Sequence, residues 1–298
     1  MNGSFDRDAA ISGKAVDLYD AFTHDHHDRR TLLRQMTALA GSAAAAEALI
    51  GGIAASPAAA AKVAPDDPRL QADRWSGTIA GKPAAAYVVS PRTGAKRRGT
   101  VIVIHENRGL TPHIQDVARR VALEGFDAAA VDFLAPQGGT PADEDAARAL
   151  IGTADYDLVI GQAIGFAERY RTRRGGTGKV GTVGFCWGGG LVNRLATSGG
   201  AAFAAGVSYY GPAPAPSEAA KVRMPLLLHY AERDARVAAT GEPWVAALKA
   251  AGRPVEAFTY PGVDHAFNND TSAQRYDAAA AAQAWGRTAA FLHRHLDV

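Results

Sequence analysis

From Trp75 onward, apolar and polar positions alternate between two periods, with short β-branched and aromatic runs separated by stretches of helical spacing. Thr100–His105 (TVIVIH) is nearly continuous, as a strand buried on both faces requires. Phe126–Phe133, Lys179–Phe185, Ala204–Tyr210, Met224–Tyr230 and Val255–Tyr260 read as further strands, and Ile79–Val89, broken by Gly81-Lys82-Pro83, as an opening strand or hairpin. Helices are predicted over Thr111–Glu124, Asp143–Leu150, Tyr156–Tyr170, Gly188–Thr197, Pro243–Ala251 and Ala278–Leu296, with Gly125 and Gly252 as stops. Strands alternating with helices predict an α/β protein, a mostly parallel central sheet flanked by helices on both faces.

The first 64 residues break this pattern. A polar stretch containing His24, His26 and His27 is followed by Arg29-Arg30-Thr31-Leu32-Leu33-Arg34, an alanine-rich run from Met36, and small residues around Ser56–Ala61. This order resembles a twin-arginine export signal, with Asp28 and Glu47 as departures from it. The alternative is an alanine-rich amphipathic helix. The division expected is therefore a leader over 1–64 and a catalytic domain over 65–298, in a periplasmic protein that meets the export machinery transiently, or in a cytoplasmic one under the alternative. The histidines of the leader are read as solvated rather than metal-binding, because nothing there fixes a coordination geometry.

Composition narrows the chemistry. A chain of 298 residues, 47% hydrophobic, can bury one sizeable core. Its formal net charge of +2 gives no reason to invoke nucleic acid, so the expected partner is a small molecule, and the expected assembly a monomer or homodimer. The one cysteine, Cys186, excludes an intramolecular disulfide and a multi-cysteine zinc site. No metal or cofactor is expected.

That cysteine stands at the centre of Gly184-Phe185-Cys186-Trp187-Gly188, at the end of an apolar run. G-x-C-x-G is the nucleophile elbow of an α/β-hydrolase with a thiol in place of the usual serine. Glycines flank the turn because the chain passes from strand to helix too sharply for side chains beside it, and the central residue is strained. A thiol nucleophile needs a base and a group to orient that base. In this fold they follow in the order nucleophile, acid, histidine, each after a strand. Asp234 after Met224–Tyr230 and His265 after Val255–Tyr260 fit that order, and Glu232 and Asp264 are the rival acids. Asp132 is read as a loop-ordering residue. The backbone N–H groups of Trp187 and Asn107 are the expected oxyanion donors, and the helix following Cys186 presents its N-terminal dipole to the sulfur.

Together, the strand ending in Glu106, the cysteine elbow, Ser208-Tyr209-Tyr210-Gly211, the Asp234 loop and the His265 loop resemble the dienelactone hydrolase family (carboxymethylenebutenolidases) from about Ile79 to the C-terminus. The resemblance implies hydrolysis of an enol-lactone or related ester through an acyl-enzyme on Cys186. It also implies that Glu106 contacts the resting thiol and takes part in its activation, the alternative being that Glu106 only orders the oxyanion loop. Family members acting on dienelactone carry an arginine shortly after the histidine, whereas this chain has Asn268-Asn269-Asp270, and Arg148 aligns loosely with a second family arginine. Arg108, Arg148, Tyr209, Tyr210 and Phe267 are the candidate substrate contacts. The rival readings are a broad carboxylesterase or thioesterase, and a non-hydrolytic thiol for redox sensing or ligand binding.

Overall fold

The computed structural model describes residues 11, 13–19, 21–23, 28–54, 61–93, 99–172, 176–199 and 201–297. Its centre is an eight-stranded sheet with strands β1 (Leu70–Ile79), β2 (Lys82–Pro91), β3 (Thr100–Ile104), β4 (Asp127–Asp132), β5 (Val180–Phe185), β6 (Ala205–Tyr209), β7 (Leu226–Ala231) and β8 (Val255–Tyr260). Their order in space is β1-β2-β4-β3-β5-β6-β7-β8. The β1–β2 and β2–β4 pairs are antiparallel and the remaining pairs parallel. Helices α4 (Pro112–Leu123), α5 (Glu144–Gly152), α6 (Tyr156–Arg171), α7 (Trp187–Ser198), α8 (Ala235–Ala250) and α9 (Ala278–Leu296) cover the sheet. This is the α/β-hydrolase fold.

Every residue of β3, β4, β5, β6 and β7 is buried, which is why the sequence reads there as apolar runs without alternation. Their side chains divide between two cores, one containing Val101, Val103, Phe185 and Tyr209, the other Ile102, Ile104, Leu226 and Leu228. Two elements differ from the sequence expectation. β1 begins nine residues before Ile79 because it is an edge strand whose interior, half-buried Trp75 apart, is exposed and lacks apolar periodicity. α8 starts at Ala235, not Pro243: Asp234 caps it and Pro243 is accommodated inside.

The described part of residues 1–64 packs upon the rest of the chain. Residues 11, 13–19 and 21–23 are helical (α1), followed by α2 (Arg29–Ala40) and α3 (Ala43–Ile53), the latter two bent by 110° about their junction. Asp28 caps α2 by accepting from the Thr31 N–H, Gly41 closes it in the left-handed region, and Ser42 caps α3. Tyr19, Phe22, Leu32, Met36 and Ile53 share a small core of their own. Its links to the catalytic domain include the Arg29–Asp145 ion pair at 3.1 Å and the Ser272 hydroxyl donating to the Ile53 carbonyl at 2.5 Å. Among the described residues no single helix is long and apolar enough to cross a membrane. His24, His26 and His27, and Ser56–Ala60 of the expected cleavage region, lie outside the described residues.

Candidate active site

β5 ends at Phe185 and α7 begins at Trp187, so Cys186 alone makes the turn, with φ 55° and ψ −115°. A non-glycine residue with positive φ costs on the order of 1–3 kcal/mol and persists only where neighbours hold it. Here the Cys186 N–H donates to the Tyr209 carbonyl at 3.0 Å, and the Ser208 hydroxyl donates to the Gly189 carbonyl at 2.9 Å. A Cβ at Gly184 would lie 2.1 Å from the Gly188 oxygen, and one at Gly188 would lie 2.5 Å from the His105 oxygen. Both obstacles are backbone and cannot rotate away. Gly184→Ala is therefore expected to destabilise the protein by about 2–3 kcal/mol in urea unfolding, and a loss below about 0.5 kcal/mol would contradict this account of the turn.

The loop after β8 brings His265 to the elbow. Its Nδ1 is bonded to Asp234 Oδ2 at 2.5 Å, and His265 lines the same crevice as Cys186. Asp234 uses its other oxygen, Oδ1, to accept the Val237 N–H at 3.0 Å, so one carboxylate both caps α8 and fixes the imidazole. The rival acids are engaged elsewhere: Glu232 accepts from the Gly262 N–H at 2.7 Å, and Asp264 faces Arg233 at 3.6 Å. Asp132 takes the N–H groups of Leu134 and Thr140 and the Thr140 hydroxyl, ordering its loop.

Burial opposes charge on His265, but the Asp234 carboxylate and then the Cys186 sulfur outweigh it and push the imidazole up to about 10. Burial also opposes the Asp234 charge, yet the His265 ring holds that carboxyl below its ordinary value. Because the folded His265 binds its proton more tightly than the ordinary value of 6.5, the stability it contributes is complete below about pH 6.5 and is lost as pH rises through about 10. Melting of the wild type should fall across this window more steeply than that of His265→Gln. Parallel slopes would contradict the assigned pair.

Glu106 and Asn107 follow β3. Asn269 Nδ2 donates to Glu106 Oε2 at 2.7 Å, while Glu106 Oε1 is buried with no hydrogen-bond partner. Asn269, part of the departure after the histidine, is the residue that the sequence reading did not assign, and its amide orients the glutamate. Trp187 supplies the first N–H of α7, for which the helix has no acceptor. Its indole stacks on His105 with ring centres 5.3 Å apart. His105 bonds the Glu106 carbonyl through Nδ1 at 2.6 Å and accepts the Phe133 N–H at Nε2, so this neutral ring splints the Glu106–Asn107 loop against the end of β4.

A crevice of about 20 Å³ lies at the sulfur, lined by Glu106, Asn107, Arg108, Cys186, His265 and Arg275 among others. A larger cleft of about 540 Å³ also reaches Cys186 and is walled by Asn107, Arg148, Tyr156, Trp187 and Arg236. The structure therefore brings Cys186, His265, Asp234, Glu106, Asn107, Trp187, Arg108 and Arg148 to one place. Tyr209, Tyr210 and Phe267 lie apart from these residues. All three are fully buried and line neither space; Tyr209 bonds Thr288 at 2.7 Å, and Tyr210 and Phe267 pack against one another, with Tyr210 also against the His265 ring. Arg236, on the first turn of α8, is a cleft residue that the late helix start had hidden.

Comparison with known proteins agrees with this architecture. An Escherichia coli protein provisionally named carboxymethylenebutenolidase is 29% identical over 248 residues, covering 78% of this chain and 91% of its own. The crystal structure of a provisionally named dienelactone hydrolase from Klebsiella pneumoniae is 28% identical with a TM-score of 0.69, covering 76% of this chain and 99% of its own. A thermostable esterase from Pseudomonas putida shares the fold at 15% identity and a TM-score of 0.61, over 92% of both chains. The family model described as the dienelactone hydrolase family matches residues 84–296, and the chain belongs to that family.

Proposed function

We propose that this hydrolase cleaves a small carboxylic ester or lactone through an acyl-enzyme on Cys186, with His265 as general base and acid and Asp234 as its orienting group. The observation that carries the reading is the Asp234–His265 bond at the wall of a crevice that the strained Cys186 also lines. The family membership and the provisional carboxymethylenebutenolidase name of the relative support the same class of reaction. A sensor or binding protein has no use for an imidazole so oriented, whereas acyl transfer needs one at each step.

In the first step the thiolate attacks the substrate carbonyl carbon, and the oxygen takes up the negative charge facing the N–H groups of Trp187 and Asn107. His265 then gives its proton to the departing alkoxide. In the second step His265 takes a proton from water, the hydroxide attacks the thioester carbonyl, and the thiolate leaves as the acid forms. Where the resting sulfur is protonated, Glu106, which shares its crevice and has one oxygen held by Asn269, accepts that proton when substrate arrives and returns it to the sulfur once the acid product has formed. The cleft carries Ile151, Tyr156 and Trp187 together with Arg148 and Arg236, which suits an ester with an apolar body and a polar or anionic end.

The test is turnover of p-nitrophenyl acetate with and without prior iodoacetamide. The reading expects hydrolysis that alkylation of Cys186 removes. Full turnover by quantitatively alkylated protein would sink it.

A further inference from the structure

Helix α1 belongs to the N-terminal core, yet its described residues Phe22 and Thr23 line the spaces at the thiol. Thr23 lines both the crevice at the sulfur and the larger cleft, and Phe22 joins it in the cleft wall. Four contacts hold this turn in place, and the partner in each lines one of those two spaces. The Arg108 guanidinium donates to the Tyr19 hydroxyl, and the Asn107 amide donates to the Thr23 carbonyl at 3.2 Å. The Arg148 guanidinium lies 3.8 Å from the Phe22 ring centre, and that of Arg275 lies 5.5 Å from the Tyr19 ring centre. Tyr19 and Phe22 are each only 5% exposed.

Two physical points turn this wall into a gate. The sulfur opens onto a crevice of about 20 Å³, little more than one water, and onto the larger cleft walled in part by Phe22 and Thr23, so with α1 as placed these two residues bound the room for an acyl group over Cys186. The apolar contacts of α1 are with α2 and α3, in a core separate from the two that flank the sheet. Moving α1 together with α2 and α3 keeps that small core intact and costs the polar and cation–π contacts above, along with links such as Arg29–Asp145 and Ser272–Ile53, without opening the two cores that flank the sheet.

We propose that helix α1 is a gate over Cys186, in which Phe22 and Thr23 set the size of the group admitted and the Tyr19–Arg108 hydrogen bond holds the gate closed. The inference rests on Cys186 being the reactive group, and its test reads the thiol directly, independent of hydrolysis. In the full chain, second-order rates of Cys186 alkylation are measured with iodoacetamide and with a bulky N-aryl maleimide, located by peptide mass spectrometry. Tyr19→Phe removes a hydrogen bond to a charged group from the closed state and should accelerate the bulky reagent about tenfold, and iodoacetamide less than about threefold. Phe22→Ala should shift the ratio the same way, and Phe22→Trp the opposite way. General loosening would lower the melting temperature, which is recorded for each variant, and would not give the opposite sign with Trp.

Ratios within about twofold of wild type for all three variants, each melting as wild type does, would overturn the gate. A shifted ratio in a protein that hydrolyses no ester would uphold the gate while removing the catalytic reading. Turnover through Cys186 with an unshifted ratio would do the reverse.

Discussion

Cys186→Ala is expected to lower kcat/KM for p-nitrophenyl acetate by at least about 10³-fold, because nucleophile, base and orienting acid act as a unit and removing the first leaves only binding and the oxyanion donors. The fold should tolerate the change. Cys186 is 5% exposed and its side chain is small, and an alanine faces the same positive φ of 55°, so unfolding should move by about 1 kcal/mol or less. Loss of activity without loss of stability is the signature. Activity within about tenfold of wild type would remove the sulfur from the mechanism.

Asp234→Asn should cost about 10²–10⁴-fold in kcat, and for a different reason. The amide oxygen can still accept the Val237 N–H, so the cap of α8 survives. What is lost is the negative charge that holds His265 protonated, together with the acceptor that fixes its tautomer. An amide N–H facing Nδ1 turns the ring proton to the wrong nitrogen. Asp234→Ala removes the cap as well and should lose about 1 kcal/mol more in stability than the asparagine variant. Equal stability of the two variants would show that the carboxylate does not serve both roles. The asparagine variant should also lose the steep decline in melting between neutral pH and about pH 10 that the wild type shows.

The sequence made the catalytic half of this molecule legible because its strands are buried on both faces. Runs such as Thr100–Ile104 and Leu226–Ala231 are buried along their whole length, even with His229 inside the second, and the residues that follow them, Glu106 and Asp234, sit at strand ends where chemistry gathers. Other parts were illegible for identifiable reasons. The edge strand β1 has a mostly exposed interior and so lacks apolar periodicity. Tyr209, Tyr210 and Phe267 stand near the motifs in sequence, but the β6 end and the histidine loop turn them into the core, which no spacing rule reveals. Asn269 was visible only as a missing arginine, since an asparagine's partner 163 residues away leaves no local pattern.

The N-terminal helices lie between these cases. Alanine content and the Arg29-Arg30 pair suggested a segment apart from the fold, while Asp28, Gly41 and Ser42 already marked two capped helices with a turn between them. Those caps were the signal to weigh. The contacts of Tyr19 with Arg108 and of Phe22 with Arg148 were beyond reach, because nothing in α1 itself names the site it covers.

The most direct measurement is acid quenching of the enzyme within milliseconds of mixing with p-nitrophenyl acetate, followed by peptide mass spectrometry. An acetyl group on the peptide containing Cys186, formed at the rate of the nitrophenol burst and absent from Cys186→Ala, is the predicted result. Rapid nitrophenol release with the acetyl group on another residue, or with no acylated peptide at any quench time, would contradict the account.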